Sequence, residues 1–244
     1  MVTPKRIWFP GATYHITARG NRKQEIFRDK QDFIVYLAIL KDCLEYYKDD
    51  KYEIIAYCLM TNHVHILIKT TVREISDFIQ RLHSMYARYF NKKYNYVGHL
   101  WQDKFYAELI KSNKQMLDTS RYIHLNPAKA KIVKKPEEYK WSSYAMYIGK
   151  REEKIISTEM VLSLFEELTY YGQNDNDYGN NKAHKKARKK DHKNNQNNNE
   201  CMKRERELYR RYVETYFETS SEVQPKNGCT SEEDPKNGCT SEAQ

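Results

Sequence analysis

The hydrophobic and polar positions of the chain fall into runs of two different periods. Short runs rich in β-branched and aromatic residues predict strands at residues 14–20, 51–60 and 63–70. Longer runs with an apolar residue every three or four positions predict amphipathic helices at residues 29–49 and 73–94. Only Thr61 and Asn62 separate the second and third strands, so these two strands should form an antiparallel hairpin.

Residues 97–110 resume a strand-like alternation, which completes the order β-α-β-β-α-β. This order is typical of an α+β, ferredoxin-like antiparallel sheet with both helices on one face. A third helix is expected from about residue 114 to Asn126, where Pro127 should end it. A short apolar helix near residues 160–168 is expected to pack on the domain as an appendage.

The composition changes near residue 170 and divides the chain into two parts. Residues 1–170 contain nearly all of the periodic apolar sequence and are expected to form one domain. Residues 171–244 are rich in Asn, Lys, Asp and Gly, and the segment PKNGCTSE occurs twice near the end. We therefore expect a low-complexity, largely disordered tail with a possible isolated helix near 201–217.

Charge and cysteine content narrow the class of partner. Lys and Arg outnumber Asp and Glu by 42 to 33, which gives a net charge of +9 and favours a polyanionic partner without requiring one. The five cysteines form no CxxC pair or metal-ligand cluster, so reduced thiols are expected, with Cys43 and Cys58 in the core. No run resembles a signal peptide or a membrane span, which predicts a cytoplasmic protein.

Two histidines stand out because of their spacing. His63 and His65 are two residues apart in a predicted strand, so both imidazoles point to the same face while Val64 points into the core. Such a pair supplies half of a site for a divalent metal. Two histidines that merely form hydrogen bonds on a sheet face would have the same spacing.

The third helix adds a second candidate pair, Tyr122 and Asn126, which are four residues apart and share one helix face. A tyrosine hydroxyl can attack phosphorus, and an amide oxygen can bind a metal. Spacing alone leaves other roles open, because Tyr122 is one of 21 tyrosines and Asn126 could cap a helix end before Pro127.

Together these segments resemble the single-tyrosine HUH transposases, in particular the IS200-like and REP-associated subgroup. The resemblance rests on YHITARGNRKQEIFRD at 14–29, YCLMTNHVHILI at 57–68, HLWQDKFYAELI at 99–110, RYIHLNPAKA at 121–130 and WSSY at 141–144. It covers about residues 4–145 and leaves the tail outside. It implies that His63, His65 and Asn126 bind a metal and that Tyr122, on a helix after the last strand, is the nucleophile.

The resemblance also implies a mechanism. A tyrosine hydroxyl with an ordinary pKa of about 10 needs positive charge near the phosphate, which Mg²⁺ or Mn²⁺ would supply. Because two imidazoles and an amide form a softer ligand set than Mg²⁺ prefers, Mn²⁺ should serve at least as well. Cleavage would leave a 5′-phosphotyrosine and a 3′-hydroxyl, and rejoining would need no ATP. The sequence suggests no general base for Tyr122.

The expected partner is single-stranded or hairpin DNA. Two basic clusters could hold phosphates on either side of the cleft, and their main members are Arg19, Arg22, Lys23, Lys129 and Lys131. Both clusters could equally be ordinary solvated surface. Trp101, Phe105 and Tyr106 could stack unpaired bases, but their alternating pattern favours core positions.

Two rival functions share many of these features. Replication initiators and relaxases use a similar histidine pair, but the Tyr122–Asn126–Pro127 arrangement favours a transposase. A domesticated protein that binds palindromic nucleic acid without cutting it would not need Tyr122, His63 and His65 together. The sequence does not decide between a monomer and a homodimer.

Overall fold

A computed structural model describes residues 7–152, 155–171 and 195–222 of the chain. The strands are β1 (Thr13–Arg19), β2 (Glu53–Met60), β3 (His63–Lys69) and β4 (Tyr106–Leu109). The helices are α1 (Lys30–Tyr46), α2 (Ile75–Tyr94), α3 (Asn113–Lys129), α4 (Tyr144–Tyr147), α5 (Glu159–Tyr171) and α6 (Asn195–Glu222).

The four strands form one antiparallel sheet in the order β2-β3-β1-β4. This arrangement and the chain order β-α-β-β-α-β confirm the α+β, ferredoxin-like fold expected from the sequence. One face of the sheet packs on α1 and α2 through a core that includes Ile16, Val64 and Ile66. The opposite face packs on α3 through a second core that includes Cys58 and Leu67. The sheet is therefore covered by helices on both faces.

The local sequence explains why α1 begins at its observed position. Asp29 accepts a hydrogen bond from the Asp32 backbone nitrogen at 3.1 Å, and the Asp32 carboxylate accepts one from the Asp29 backbone nitrogen at 3.2 Å. This reciprocal capping box satisfies donors that a helix N-terminus otherwise leaves unpaired. Asp32 is fully buried and also binds Lys93 Nζ at 2.7 Å, which ties the start of α1 to the end of α2.

Strand β4 is shorter than the 97–110 expected from the sequence. Only Tyr106–Leu109 pairs continuously with β1, while Trp101 makes an isolated bridge to Gly20. The segment around Asp103 and Lys104 leaves the sheet between these two pairings. The strand-like alternation at residues 97–110 therefore covers two separate pairings, one with Gly20 and one with β1.

Helix α3 continues three residues beyond Asn126, and the expected stop at Pro127 is wrong. Pro127 and Ala128 are buried, so packing holds the last turn in place. The end of the helix is also closed by hydrogen bonds from Ala130 N to Asn126 O and from Ile132 N to Pro127 O, both at 2.9 Å. Tertiary packing outweighs the local preference of the residue before proline.

The expected isolated helix near 201–217 is instead part of the longer helix α6, which packs on the domain. Tyr209 and Val213 are fully buried in the second core beside Ile123 of α3 and Phe165 of α5. The expectation of isolation was wrong because apolar positions of α6 face α3 and α5. The low-complexity segments expected at 172–194 and 223–244 lie outside the described residues.

Cys43 and Cys58 are buried and unpaired by disulfides, as expected. In the described part of the chain, no helix combines the length and the apolar character that crossing a membrane requires.

Candidate active site

Three histidines meet on the face of the sheet that α3 covers. The register pairs Thr17 of β1 with His65 of β3, so His15, two residues from Thr17, lies diagonally opposite His65. The ring centroid of His65 lies 5.0 Å from that of His63 and 5.2 Å from that of His15. The structure therefore brings His63 and His65 together as the sequence predicts, and it adds His15.

Hydrogen bonds orient both predicted metal ligands. His63 Nδ1 lies 2.6 Å from the Asn62 side-chain oxygen, and since a carbonyl oxygen only accepts, Nδ1 carries the proton. Asn62 in turn donates through its Nδ2 to the Lys23 carbonyl at 3.2 Å. His65 Nδ1 lies 3.0 Å from His15 Nε2. Because Nδ1 of His63 carries the proton, Nε2 is the unprotonated nitrogen of the His63 ring.

Burial keeps these imidazoles neutral. Burial, followed by the nearby Arg19 charge, lowers the pKa of His63 to about 4. Burial, followed by the neighbouring His15 and His63, lowers the pKa of His65 well below its ordinary value. The pKa of His15 is also lowered by burial, and Glu108 opposes that change. Neutral imidazoles have a nitrogen lone pair available for a metal at neutral pH.

The donor atoms fit a divalent metal. His65 Nε2 is buried and has no hydrogen-bond partner among the described residues. A buried polar atom without a partner is costly unless something else satisfies it, and a metal would do so. Within the described residues, no three His, Cys, Asp or Glu side chains are arranged to hold a metal by themselves. A metal at His63 and His65 would therefore need a ligand of another type.

Tyr122 of α3 lies directly over the histidines. Its ring centroid is 5.5 Å from that of His65 and 5.9 Å from that of His15, both in edge-to-face geometry. The side chain is 43% exposed, so a polymer substrate can reach it. Tyr122 is thus distinguished from the fully buried tyrosines of the core, such as Tyr36 and Tyr86.

Asn126 is one turn further along α3 and is partly exposed. Its amide nitrogen donates to the Tyr122 carbonyl oxygen at 2.9 Å. A metal would bind the opposite end of the amide, the Oδ1 atom. None of its described contacts joins Asn126 to His63 or His65, so its role as a third ligand stays a prediction.

A buried network holds the tyrosine helix from behind. His124 lies 2.6 Å from the Tyr209 hydroxyl of α6 through Nδ1 and 2.8 Å from the Ser143 hydroxyl through Nε2. The Tyr209 hydroxyl also lies 3.1 Å from that of Ser120. Since His124 and Ser120 belong to α3, the orientation of the helix that carries Tyr122 is fixed partly by α6.

The predicted basic residues divide between two sides of the site. Arg19 ends β1 and pairs in register with His63, and Arg22 and Lys23 form the turn that follows. On the other side, Lys129 Nζ lies 5.9 Å from the Tyr122 ring centroid and 5.0 Å from that of Tyr216. Lys131 lies beyond the end of α3, and none of its described contacts joins it to the site.

Sequence reasoning missed His15 and misplaced Tyr106. His15 lies in the quoted segment YHITARG, but only the β1–β3 register reveals that it faces His65. Tyr106 was expected in the core and is instead 65% exposed, paired with Thr17 at the edge of the site. Trp101 and Phe105 do pack against the core, as expected.

His15, His63, His65 and Tyr122 all lie in the part of the chain that matches a known protein family. Residues 9–126 match the family model described as "Transposase IS200 like". A REP-associated tyrosine transposase of Haemophilus influenzae is 28% identical over 105 residues, which cover 38% of this chain and 59% of that protein. The chain therefore spans less than two thirds of the length of this curated relative.

Two solved structures are similar over part of the chain. One is a REP-associated tyrosine transposase bound to a REP hairpin, with a TM-score of 0.49, 19% identity and coverage of 64% of this chain and 91% of that one. The other is a transposase from Deinococcus radiodurans, with a TM-score of 0.36, 19% identity and coverage of 50% and 95%. Residues 9–126 are therefore similar to the IS200-like transposase family, and the match covers slightly less than half of the chain.

Proposed function

We propose that this protein is a metal-dependent transposase that cuts and rejoins single-stranded DNA through a 5′-phosphotyrosine on Tyr122. The observation that carries the proposal is the exposed Tyr122 ring 5.5 Å from that of His65, above two neutral histidines with oriented nitrogens. The family match over residues 9–126 supports DNA as the substrate.

His63 and His65 would hold the metal through their Nε2 atoms, and Asn126 Oδ1 would complete the protein ligands. A bound Mn²⁺ or Mg²⁺ would polarise the non-bridging oxygens of the scissile phosphate. Arg19 and Lys129, on opposite sides of the site, would attract the flanking phosphates and fix the strand across it. The REP hairpin bound to one structural neighbour makes a hairpin the natural first substrate to try.

The Tyr122 hydroxyl would then attack phosphorus. A bond forms between Oη and phosphorus while the bond to the 3′ oxygen breaks, Tyr122 loses its proton, and the departing 3′ oxygen gains one. The ester energy stays in the phosphotyrosine, so a second 3′-hydroxyl can reverse the step without ATP. No described side chain is assigned as the base that takes the Tyr122 proton.

Removal of the Tyr122 hydroxyl tests the nucleophile. Tyr122→Phe keeps the ring contacts, so the midpoint of thermal unfolding and the affinity for a labelled hairpin should change little. The covalent adduct, measured on a denaturing gel, should disappear. Tyr216→Phe is a matched control, since Tyr216 is similarly exposed and also contacts Lys129, and it should form the adduct normally. A 5′-phosphate mapped to any other tyrosine would overturn the assignment.

Chelation tests the metal. EDTA should reduce cleavage by at least about 100-fold, because the metal contributes several kcal/mol and each 1.36 kcal/mol is tenfold in rate. Mn²⁺ should restore cleavage at least as well as Mg²⁺. The double variant His63→Ala, His65→Ala should stay inactive with either ion. Binding of the hairpin without any adduct, under all metal conditions, would instead indicate a protein that binds DNA without cutting it.

A further inference from the structure

His15 is the histidine of the site to which the proposed function gives no role. It is 8% exposed, and its Nε2 lies 3.0 Å from His65 Nδ1, with the two rings only 22° from parallel. A distance of 3.0 Å between these nitrogens is that of a hydrogen bond in which one imidazole donates and the other accepts. A single proton lies between His15 Nε2 and His65 Nδ1, so the tautomer of one ring determines that of the other.

A second contact continues from His15 to the edge strand. Glu108 of β4 pairs in register with His15, and its carboxylate oxygen Oε2 lies 4.0 Å from His15 Nδ1. The other carboxylate oxygen of Glu108 accepts a hydrogen bond from Gln115 Nε2 at 2.9 Å, which holds the carboxylate against the start of α3. Glu108, His15 and His65 therefore form a row that runs across three strands, from β4 through β1 to β3.

The two nitrogens of His65 have different surroundings. Nε2 is buried without a partner in the described part of the chain, while Nδ1 faces His15 at 3.0 Å and Thr17 Oγ1 at 3.4 Å. If His65 binds a metal through Nε2, its proton must reside on Nδ1, from where it is donated to His15 Nε2. His15 then carries its own proton on Nδ1, the nitrogen that faces the negative Glu108.

We propose that His15 is a positioning residue that accepts the His65 Nδ1 proton and so keeps His65 Nε2 unprotonated and aimed at the metal. The negative charge of Glu108, 4.0 Å from His15 Nδ1, favours the His15 form that carries its proton on Nδ1. This inference rests on the proposed function, because it assigns His15 a part in the proposed metal site. A ligand histidine whose second nitrogen donates to a fixed acceptor binds metal more tightly than one without that acceptor.

Direct ligation by His15 would require a different geometry. His15 Nε2 already has His65 Nδ1 as a hydrogen-bond partner, and His15 Nδ1 lies 4.0 Å from the Glu108 carboxylate. The described residues also contain no group of three metal-binding side chains that includes His15, His63 and His65. The contacts of His15 are those of a residue that supports a ligand.

Two variants separate the acceptor function from simple packing. In His15→Gln an amide oxygen can replace Nε2 as acceptor, whereas in His15→Leu the side chain fills space without one. Titration with Mn²⁺ followed by calorimetry should show binding about 10- to 100-fold weaker in His15→Leu and within about threefold of the unmodified protein in His15→Gln. Thermal unfolding without metal reports whether each variant folds.

A readout without metal separates this inference from the proposed function. The ¹⁵N shifts of the His65 ring should show the Nδ1–H form in the unmodified protein and in His15→Gln, and a mixture of the two neutral forms in His15→Leu. Unchanged ¹⁵N shifts in His15→Leu would overturn the positioning role even if Mn²⁺ binds normally. Loss of Mn²⁺ binding in His15→Gln as severe as in His63→Ala would overturn it in favour of direct ligation. Absence of Mn²⁺ binding in the unmodified protein would refute the metal site itself.

Discussion

Gly20 occupies a position in which a side chain has no room. It follows β1, and its backbone nitrogen donates to the Asn62 carbonyl at 2.9 Å. A Cβ atom here would lie 2.3 Å from the Gln24 carbonyl oxygen and 2.8 Å from the Ile26 side chain. Gly20 thus lets the turn that carries Arg22 and Lys23 pack closely on itself, and its backbone hydrogen bond joins that turn to the turn before His63.

Gly20→Ala should consequently destabilise the fold by about 1–3 kcal/mol, as overpacking does. At an unstrained position the same change stabilises by about 0.4–1 kcal/mol, so the sign of the effect identifies the clash. Urea unfolding gives the measurement. Hairpin affinity should fall as well, since the basic turn must move. A midpoint equal to or above that of the unmodified protein would contradict the steric account.

At the residue level, the sequence predicted what depends on spacing along one element. His63 and His65 share a face because a strand repeats every two residues, and Tyr122 follows from its helix and its motif. His15 could not be predicted because its role depends on which residue of β3 faces it, and register is set by pairing between distant segments.

Helix α6 supports the tyrosine helix through buried and exposed contacts. Tyr209 fills the second core and binds His124 and Ser120, while the Tyr212 hydroxyl donates to Asp118 at 2.7 Å. The Arg121 guanidinium lies 4.0 Å from the Tyr216 ring centroid. These contacts all lie on α3, so α6 acts on the helix that carries the proposed nucleophile.

Tyr209→Ala should therefore lower stability by about 3–5 kcal/mol, the usual cost of removing a buried aromatic side chain. Adduct formation should fall with it, because α3 loses its support. Tyr216→Ala, at an exposed position of the same helix, should cost less than about 1 kcal/mol. Denaturant unfolding of both variants checks this. Equal stability of the two would mean that α6 does not dock on α3.

At the element level, the sequence pattern predicted all seven strands and long helices from β1 to α3, but not the start of β4 or the end of α3. Pro127 predicted a helix end that buried Pro127 and Ala128 override. Helix α6 was recognised as amphipathic, but the partner for its apolar face could not be predicted, because that partner lies on α3 and α5 across a long sequence separation. Long-range packing decides both cases.

The whole molecule buries a neutral histidine on each side of its sheet. His83 stacks on Trp101 beside the first core, and His124 lies in the second. Burial lowers the pKa of each to about 3. The unfolded chain therefore binds protons below about pH 6.5 that the folded chain does not, so stability is full above that pH and is lost as the pH falls toward 3.

Each of these histidines should contribute about 1.4 kcal/mol of lost stability per pH unit between about pH 5.5 and 4. The expected measurement is the free energy of unfolding in urea across this range. His83→Gln removes one titrating group and should reduce the slope by about that amount. An identical slope in His83→Gln would show that His83 is protonated equally in both states.

The order of the elements along the chain has a consequence for synthesis. Ribosomes release His15, His63, His65 and Tyr122 well before Tyr209 and Val213, and domains begin to fold as they emerge. A nascent or prematurely terminated chain that ends between α5 and α6 would carry every proposed catalytic group, yet the apolar side of α3 around Ile123 would lack its cover. Such fragments would be targets for proteases and chaperones, so completion of the polypeptide becomes a condition for a stable form of the proposed site.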